Sequence, residues 1–239
     1  MATRGTAVIE TFSEPVVELI QVSGDDTAIA RAAWISTGTD EREKEDGRIP
    51  GLLNYLMEKR HGTPFEHAWL TLRIEAELST FYEWHRHRTQ SYNEESGRYS
   101  ELAPVFYVPG PDRPLVNVGT SARPKMEAAD PDVHAWFVQD LMESYEYAYN
   151  KYKMYLESDI AKEAARWVLP VGLKKSMYAS ANLRGWLHFL SLRTNEEWST
   201  YQGHPQYEIE QAAKKVEDIL TEQFPLVMEL FNKHGRVAP

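Results

Sequence analysis

Residues 84–100 read WHRHRTQSYNEESGRYS, seventeen consecutive positions without one aliphatic side chain. A segment that folds by burying a face carries apolar residues every two or every 3.6 positions. This run has neither period, so whatever holds it must lie outside it. Its own inventory is Arg86, Arg88 and Arg98, His85 and His87, Glu94 and Glu95, Ser91, Ser96 and Ser100, Asn93, Tyr92 and Tyr99. Guanidinium forks suit phosphate and carboxylate, serine and asparagine are short neutral donors, and carboxylates accept from sugar hydroxyls. A charge-dense run is ordinarily a solvated face. Here the arginines alternate with aromatics and histidine, Gly97 allows close backbone approach, and the apolar lead-in TLRIEAELSTFYEW ties the run to a core. The pattern fits an anionic, hydroxyl-bearing ligand such as a nucleotide.

The rest of the chain sets limits on that reading. With 239 residues, 42% hydrophobic and 26% charged, there is material for one large domain with a sizeable core. A formal net charge of -10 makes a general nucleic-acid or membrane-surface binder a poor fit, so basic groups must be concentrated to attract an anion. The absence of cysteine removes disulfides, thiolate metal sites and a thiolate nucleophile. No apolar run approaches the roughly 20 residues of a membrane span, and MATRGTAVIETFSEP lacks a secretory core. A cytoplasmic protein is expected.

Periodicity predicts strands at 16–22 and 68–78, and a shorter one at 174–181. Helices are predicted from about Thr27 to Gly38, over 49–59 with Pro50 in the first turn, and from Asp130 or Asp132 to about Leu156. Others are predicted over IAKEAARWV up to Pro170, over 182–192, over 205–224 and over PLVMELFNKH. Ser79 or Thr80 should cap a helix running through FYEWHRHR, which would place the Arg–His cluster on helical faces. The stretch TDEREKEDGR is expected to be a solvated loop or a charged helix start. Helices outnumber strands, and the strands follow in antiparallel order. The fold class is therefore α+β, one domain over 1–239 with a mostly antiparallel sheet flanked by helices.

The chain contains no G-x-G, G-x-x-x-x-G-K, G-x-S-x-G or H-E-x-x-H, so a nucleotide has to be held by side chains. His85 and His87, two apart, splay on a helix, and no neighbouring ligands complete a metal set; no metal is expected. A second polar set lies at Asn182-Leu183-Arg184, His188 and Arg193; Arg184, His188 and, less closely, Arg193 recur on roughly one helical face, with Trp186, Leu187, Phe189, Leu190 and Leu192 directed into packing. Arg166 beside Trp167-Val168-Leu169-Pro170, and the turn His61-Gly62-Thr63-Pro64-Phe65-Glu66-His67, are further candidates whose simple readings are a helix-end charge and a helix stop.

Arg86-His87-Arg88, seven residues, then Ser96 is similar to the R-H-R-x7-S signature of the flavin-dependent thymidylate synthases, and RHRTQSYNEESGRYS resembles the family pattern well beyond those four letters. HGTPFEH, ARWVLP, NLRGWLHFLSLR and HPQYEI resemble further family blocks in family order. The resemblance implies conversion of dUMP to dTMP, with methylene from methylenetetrahydrofolate and reducing equivalents from NADPH through FAD. It also implies a homotetramer with shared active sites, with dUMP and folate as small-molecule partners and no nucleic acid or membrane partner. It implies FAD contacts at Thr63, Arg86, His87, Arg88, Glu94, Asn182, Leu183, Arg184 and His188. It implies dUMP contacts at Glu83, Trp84, His85, Arg86, Glu94, Glu95, Ser96, Gly97, Arg98, Arg166 and Arg193. Ser96, Arg98 and Arg166 would hold the phosphate; Arg193, the catalytic residue, would face the uracil edge and stabilise its anion. The missing cysteine agrees, since the unrelated thymidylate synthase class attacks uracil with a thiolate.

The sequence departs from the family at four places. Glu83 stands where Gln is usual, His188 where some relatives carry Asn, and Trp34 where Arg is frequent; TNEEWSTYQG after Arg193 is several residues longer. Two other readings of the same residues are a flavoprotein acting on another pyrimidine nucleotide and a non-enzymatic nucleotide-binding module.

Overall fold

A computed structural model describes residues 8–36, 38, 46–121 and 123–239. Most of the TDEREKEDGR stretch lies outside the described residues. In chain order the elements are β1 (Glu10–Phe12), β2 (Val16–Ser23), α1 (Asp26–Ile35), α2 (Ile49–Glu58), β3 (Trp69–Glu77), α3 (Leu78–Trp84) and β4 (Ser91–Glu94). There follow β5 (Val105–Tyr107), β6 (Val116–Asn117), β7 (Met126–Glu127), α4 (Pro131–Glu157), α5 (Lys162–Ala165), β8 (Lys174–Asn182), α6 (Leu183–Arg193), α7 (Tyr207–Gln223) and α8 (Pro225–Lys233).

The main sheet has the order β2-β3-β8-β4. Its two central strands are antiparallel: Thr71 Oγ1 meets Ser180 Oγ at 2.8 Å, and beyond the other end of β3 the Leu78 amide donates to the Leu173 carbonyl. β3 alternates buried Leu70, Leu72, Ile74 and Ala76 with more exposed positions, which is the period-2 pattern of a strand buried on one face. β6 and β7 pair antiparallel, while β1 and β5 pair in parallel, a minority arrangement in a mixed fold. Helix starts follow side-chain capping: Asp25 Oδ1 accepts from the Ala28 amide at 2.7 Å, Asp130 Oδ1 from Asp132, and Asn182 Oδ1 from Gly185.

The chain forms two compact units, each assembled from separated stretches. One comprises residues 1–15, 75–83 and 94–176. Its core is aromatic: Phe106 stacks on Tyr145 at 4.7 Å and meets Tyr149 edge-on, with Tyr152, Leu102, Ala165 and Leu173 around them. Burial pushes the Tyr145 and Tyr149 phenols up to about 12. The Tyr149 hydroxyl donates to the Leu102 carbonyl at 3.0 Å, and the Tyr152 hydroxyl accepts from the Leu102 amide at 3.2 Å. Helix α4 thus anchors the residue that closes the 94–102 segment.

The other unit comprises residues 16–74, 84–93 and 177–239. Here α6 buries Leu183, Gly185, Trp186, Leu187, Phe189 and Leu190, and Trp84 stacks on Phe189 with ring centroids 4.5 Å apart. At the start of α8 the Leu226 and Val227 amides donate to the carboxylate of Asp26 in α1, at 3.0 and 3.1 Å. Burial raises the pKa of Asp26, and those two bonds pull the other way.

Three expectations are corrected. Helix α3 stops at Trp84 and does not continue through the Arg–His cluster, because the Trp84 carbonyl accepts from the His87 amide and the Tyr92 hydroxyl instead of the Arg88 amide. The 160–168 helix is only α5 followed by a 3-10 turn, Arg166–Val168; no side chain caps its start, and Leu169 before Pro170 is extended. Leu192 is exposed, not packed.

Candidate functional site

In the 84–93 stretch the polar groups are held by a buried scaffold. The Trp84 side chain is fully buried, and its indole N–H donates to Gln90 Oε1 at 3.0 Å. The backbone then tightens, with the Gln90 amide donating to the His87 carbonyl and the Tyr92 hydroxyl set 2.7 Å from that same carbonyl. Burial keeps the Tyr92 phenol protonated far above its ordinary range. The result is a rigid turn that leaves Arg86, Arg88 and Thr89 exposed and seats His87 in the interior. His85 is half-buried, edge-on to Tyr92 at 4.9 Å.

His87 meets α6. The Arg193 Nε–H donates to His87 Nε2 at 2.9 Å, and the imidazole lies edge-on to Phe189 at 4.8 Å and to His188 at 6.4 Å. Burial, then the Arg193 charge, then His188, lower the His87 pKa to about 4. A neutral ring that accepts at Nε2 carries its proton on Nδ1. The bond fixes both tautomer and guanidinium, and it removes Nε2 from metal ligation. Among the described residues no three His, Cys, Asp or Glu gather as a metal set.

The other end of α6 opens onto a cavity of about 300 Å³ lined by Glu66, Thr89, Asn182, Arg184, Gly185, His188, Ala238 and Pro239. Arg184 and His188 are exposed on one face of α6, one turn apart. Arg184 Nε donates to the Pro239 carbonyl at 2.6 Å, and one of its terminal nitrogens pairs with Glu66 Oε1 at 2.6 Å. Leu183 is buried, its amide bound to the Ala68 carbonyl. Thr63 is exposed at the start of the 3-10 turn Thr63–His67.

In the unit that holds 94–176, Glu94 pairs with Lys175, and the Glu95 amide donates to the Ser176 carbonyl at 2.9 Å. Ser96 Oγ accepts from the Arg98 amide at 3.3 Å. Gly97 is buried where a Cβ would lie 2.8 Å from Leu102 Cδ1 and 3.3 Å from Arg166 Cδ, so its missing side chain lets Arg166 lie against the Ser96–Arg98 turn. Arg98 is exposed and donates from Nε to Glu163 at 2.8 Å. Glu83 is half-buried at the end of α3.

Each unit therefore gathers part of the expected set. His87, Asn182, Arg184, His188 and Arg193 cluster around α6; Ser96, Gly97, Arg98 and Arg166 form a second group. Trp84 and Leu183 put their side chains into the core. Sequence reasoning did not assign Glu66, Thr89, Gln90, Tyr92, Glu163 or Lys175. Glu66 lies inside the HGTPFEH block and Thr89, Gln90 and Tyr92 inside RHRTQSYNEESGRYS, so the blocks held them without singling them out; Glu163 and Lys175 carried no signal.

Fixed guanidinium groups, a neutral imidazole and a polar cavity define the class: a site for a small anionic ligand rich in hydrogen-bonding groups. The family model described as thymidylate synthase complementing protein matches residues 18–226. A flavin-dependent thymidylate synthase of Streptomyces coelicolor is 44% identical over 97% of this chain and 96% of its own length. One of Tropheryma whipplei is 40% identical over 95% and 96%. A crystal structure of the UMP/dUMP methylase PolB from Streptomyces cacaoi bound with 5-Br dUMP is 41% identical, with a TM-score of 0.91 over 97% of this chain and 100% of that one; its 5-Br UMP complex gives 0.90 at 39% identity. The chain belongs to the flavin-dependent thymidylate synthase family.

Proposed function

We propose that this protein methylates dUMP to dTMP, taking methylene from methylenetetrahydrofolate and reducing equivalents from NADPH through FAD, with 1–239 acting as one functional domain. The reading rests on family membership and on one observation above others: the guanidinium of Arg193 locked to a neutral, buried His87. A cation fixed against a buried partner meets charge that develops on a uracil ring with little reorganisation. His87 serves as the clamp that holds Arg193 in plane, and Arg193 is the catalytic residue.

The cavity beside Asn182, Arg184 and His188 fits a part of FAD. Its glycine, Gly185, has Ala181 Cβ, Asn182 Oδ1 and Thr89 Oγ1 within 3.5 Å of where a Cβ would stand, so it lets the start of α6 pack tightly against the cavity rim, and Arg and His supply donors for phosphate or ring oxygens. About 300 Å³ is at the lower end for small-molecule sites and accommodates one portion of a dinucleotide, which agrees with a site shared between subunits. Thr63, Arg86, His87, Arg88, Glu94 and Leu183 complete the proposed FAD set, the last through its backbone. Bound FAD would supply the hydride chemistry; the chain positions the nucleotide.

Ser96, Arg98 and Arg166 take the phosphate, Gly97 letting them converge. Glu83, Trp84, His85, Arg86, Glu94 and Glu95 complete the proposed dUMP set. Self-association is supported by α4, which buries Tyr145, Tyr149 and Tyr152 on one side and exposes Val133, Trp136 and Tyr147 elsewhere; a homotetramer is the proposed state. No described helix is long and apolar enough to cross a membrane, in keeping with a cytoplasmic enzyme.

The test is an absorbance spectrum of the purified protein, repeated after adding dUMP, followed by an assay for dTMP with methylenetetrahydrofolate and NADPH. A flavin spectrum perturbed by dUMP, with dTMP formed, is expected; a colourless protein that binds nucleotide without turnover would leave only the binding-module reading. The PolB structures carry bromo derivatives of both UMP and dUMP, which favours a second reading in which this chain also accepts UMP. Competition between UMP and dUMP in the same assay separates the two.

A further inference from the structure

We propose that residues 236–239, the segment that follows α8, are part of the flavin-binding wall, with Arg236 as its positioning residue. The inference rests on the reading above of Asn182, Arg184 and His188 as flavin contacts. Nothing in the polar run or in the α6 motif points to this segment, and its sequence, Arg236-Val237-Ala238-Pro239, has no recognisable site pattern.

Arg236 is almost fully buried and sits in the left-handed backbone region at φ 57°, a conformation held here by surrounding bonds. Its guanidinium forks onto both oxygens of Glu217 at 2.6 Å, and also donates to Asn232 Oδ1 at 2.6 Å and to Thr194 Oγ1 at 2.9 Å. Thr194 is the residue after Arg193. Upstream, the Gly235 carbonyl accepts from the Thr200 amide at 3.0 Å, within the 194–203 insertion. Downstream, the Val237 carbonyl accepts from Arg60, and Ala238 and Pro239 then line the cavity.

The contact that gives this path a function is Arg184. Its Nε is committed to the Pro239 carbonyl while Glu66 holds a terminal nitrogen. Gly62 makes room: a Cβ there would overlap the Arg184 guanidinium and lie 2.7 Å from the Pro239 oxygen. The Arg184–Glu66 pair is about two-fifths exposed on each side and contributes little to stability. Two acceptors around a half-exposed guanidinium serve to aim it. One clamp at Arg236 therefore ties Arg184, through Pro239, and Arg193, through Thr194, to the same half-buried carboxylate, Glu217.

The experiment compares wild-type protein, a variant lacking Val237–Pro239, and Gly62→Ala. The measurements are FAD retained at equilibrium dialysis against graded free FAD, and melting temperature. Loss of an aimed charge-assisted contact predicts weaker FAD binding on the order of tenfold in both variants, with melting temperatures close to wild type. Gly62→Ala leaves the Arg236 clamp intact, so it carries the test if the deletion fails to fold. Wild-type protein that takes up no FAD overturns the functional reading, and this inference with it. Wild-type protein that binds FAD, with variants that bind it equally well or more tightly, overturns this inference alone.

Discussion

The two halves of the polar run 84–100 are built in opposite ways. From Trp84 to Asn93 the chain spends its side chains on a dry scaffold: Trp84 on Phe189, Gln90 on the indole N–H, the Tyr92 hydroxyl on two carbonyls, His87 on Arg193. From Glu94 to Ser100 it relies on ion pairs, Glu94 with the buried Lys175 and the exposed Arg98 with Glu163, and on one glycine that admits Arg166. Low-dielectric surroundings magnify a charge beside the buried His87, and water screens one at the exposed Arg98. Identical residue types therefore do different jobs. On the function proposed above, an arginine tied to the first half would stabilise charge during chemistry, whereas an arginine in the second would capture a phosphate and could trade one anionic partner for another.

The sharpest way to break this contrast is Arg193→Ala. dTMP formation should fall on the order of 10²–10³-fold, with a small change in melting temperature, and Arg193→Lys should recover only part of it, since a point charge cannot reproduce the fork. The His87 resonance in NMR should titrate at higher pH in Arg193→Ala, still below its ordinary value because burial persists. Near wild-type turnover with lost stability would make Arg193 a helix cap and remove the contrast.

Next in size is the pH dependence of stability. The folded-state pKa of His87, about 4, lies below the ordinary imidazole value of 6.5, so the neutral ring's contribution is complete above about pH 6.5 and is lost as pH falls towards 4. The shift corresponds to roughly 3 kcal/mol. Urea midpoints across that window should drop for wild type and drop less for His87→Gln; parallel slopes would show that His87 does not carry the titration.

Ser96→Ala tests the open half. A lost neutral hydrogen bond costs about 0.5–1.5 kcal/mol, so dUMP affinity should weaken modestly and turnover persist; a trapped covalent Ser96–dUMP adduct would contradict this. The smallest effect is expected for Glu163→Gln. The Arg98–Glu163 pair is more than half exposed on both sides, so melting should shift by less than about 1 kcal/mol, while dUMP binding strengthens as Arg98 loses a competing carboxylate. Weaker dUMP binding would mean that Glu163 orients Arg98 and does not compete for it.

Long amphipathic patterns were legible from the residues alone: β2, β3, α1, α2, α4, α7 and α8 fall where period and caps put them, and Asn182 opens α6. The short pieces were not. β1, β4, β5, β6 and β7 span two to four residues each, too few for a period to register, and α5 dissolves into a 3-10 turn. The end of α3 at Trp84 depends on a hydroxyl eight residues away, which no local propensity reports. The candidate site was proposed where a motif recorded it, at Arg86-His87-Arg88, Ser96 and the α6 polar face. Glu163, Lys175 and Pro239 were invisible because their relevance comes from the partners they meet, at separations of 55 to 81 residues.

The cap on α8 has a consequence for the order in which this protein assembles. The Leu226 and Val227 amides find their acceptor 200 and 201 positions back along the chain, at Asp26. Closing such a loop costs on the order of 5 kcal/mol of chain entropy, so this contact belongs to the late, cooperative part of folding and not to a local nucleus. Until α8 arrives, Asp26 is free to stay hydrated; once it is enclosed, those two N–H groups offset part of its dehydration. Hydrogen exchange at Leu226 and Val227 should therefore slow in step with α1, marking α1 and α8 as one unit of opening.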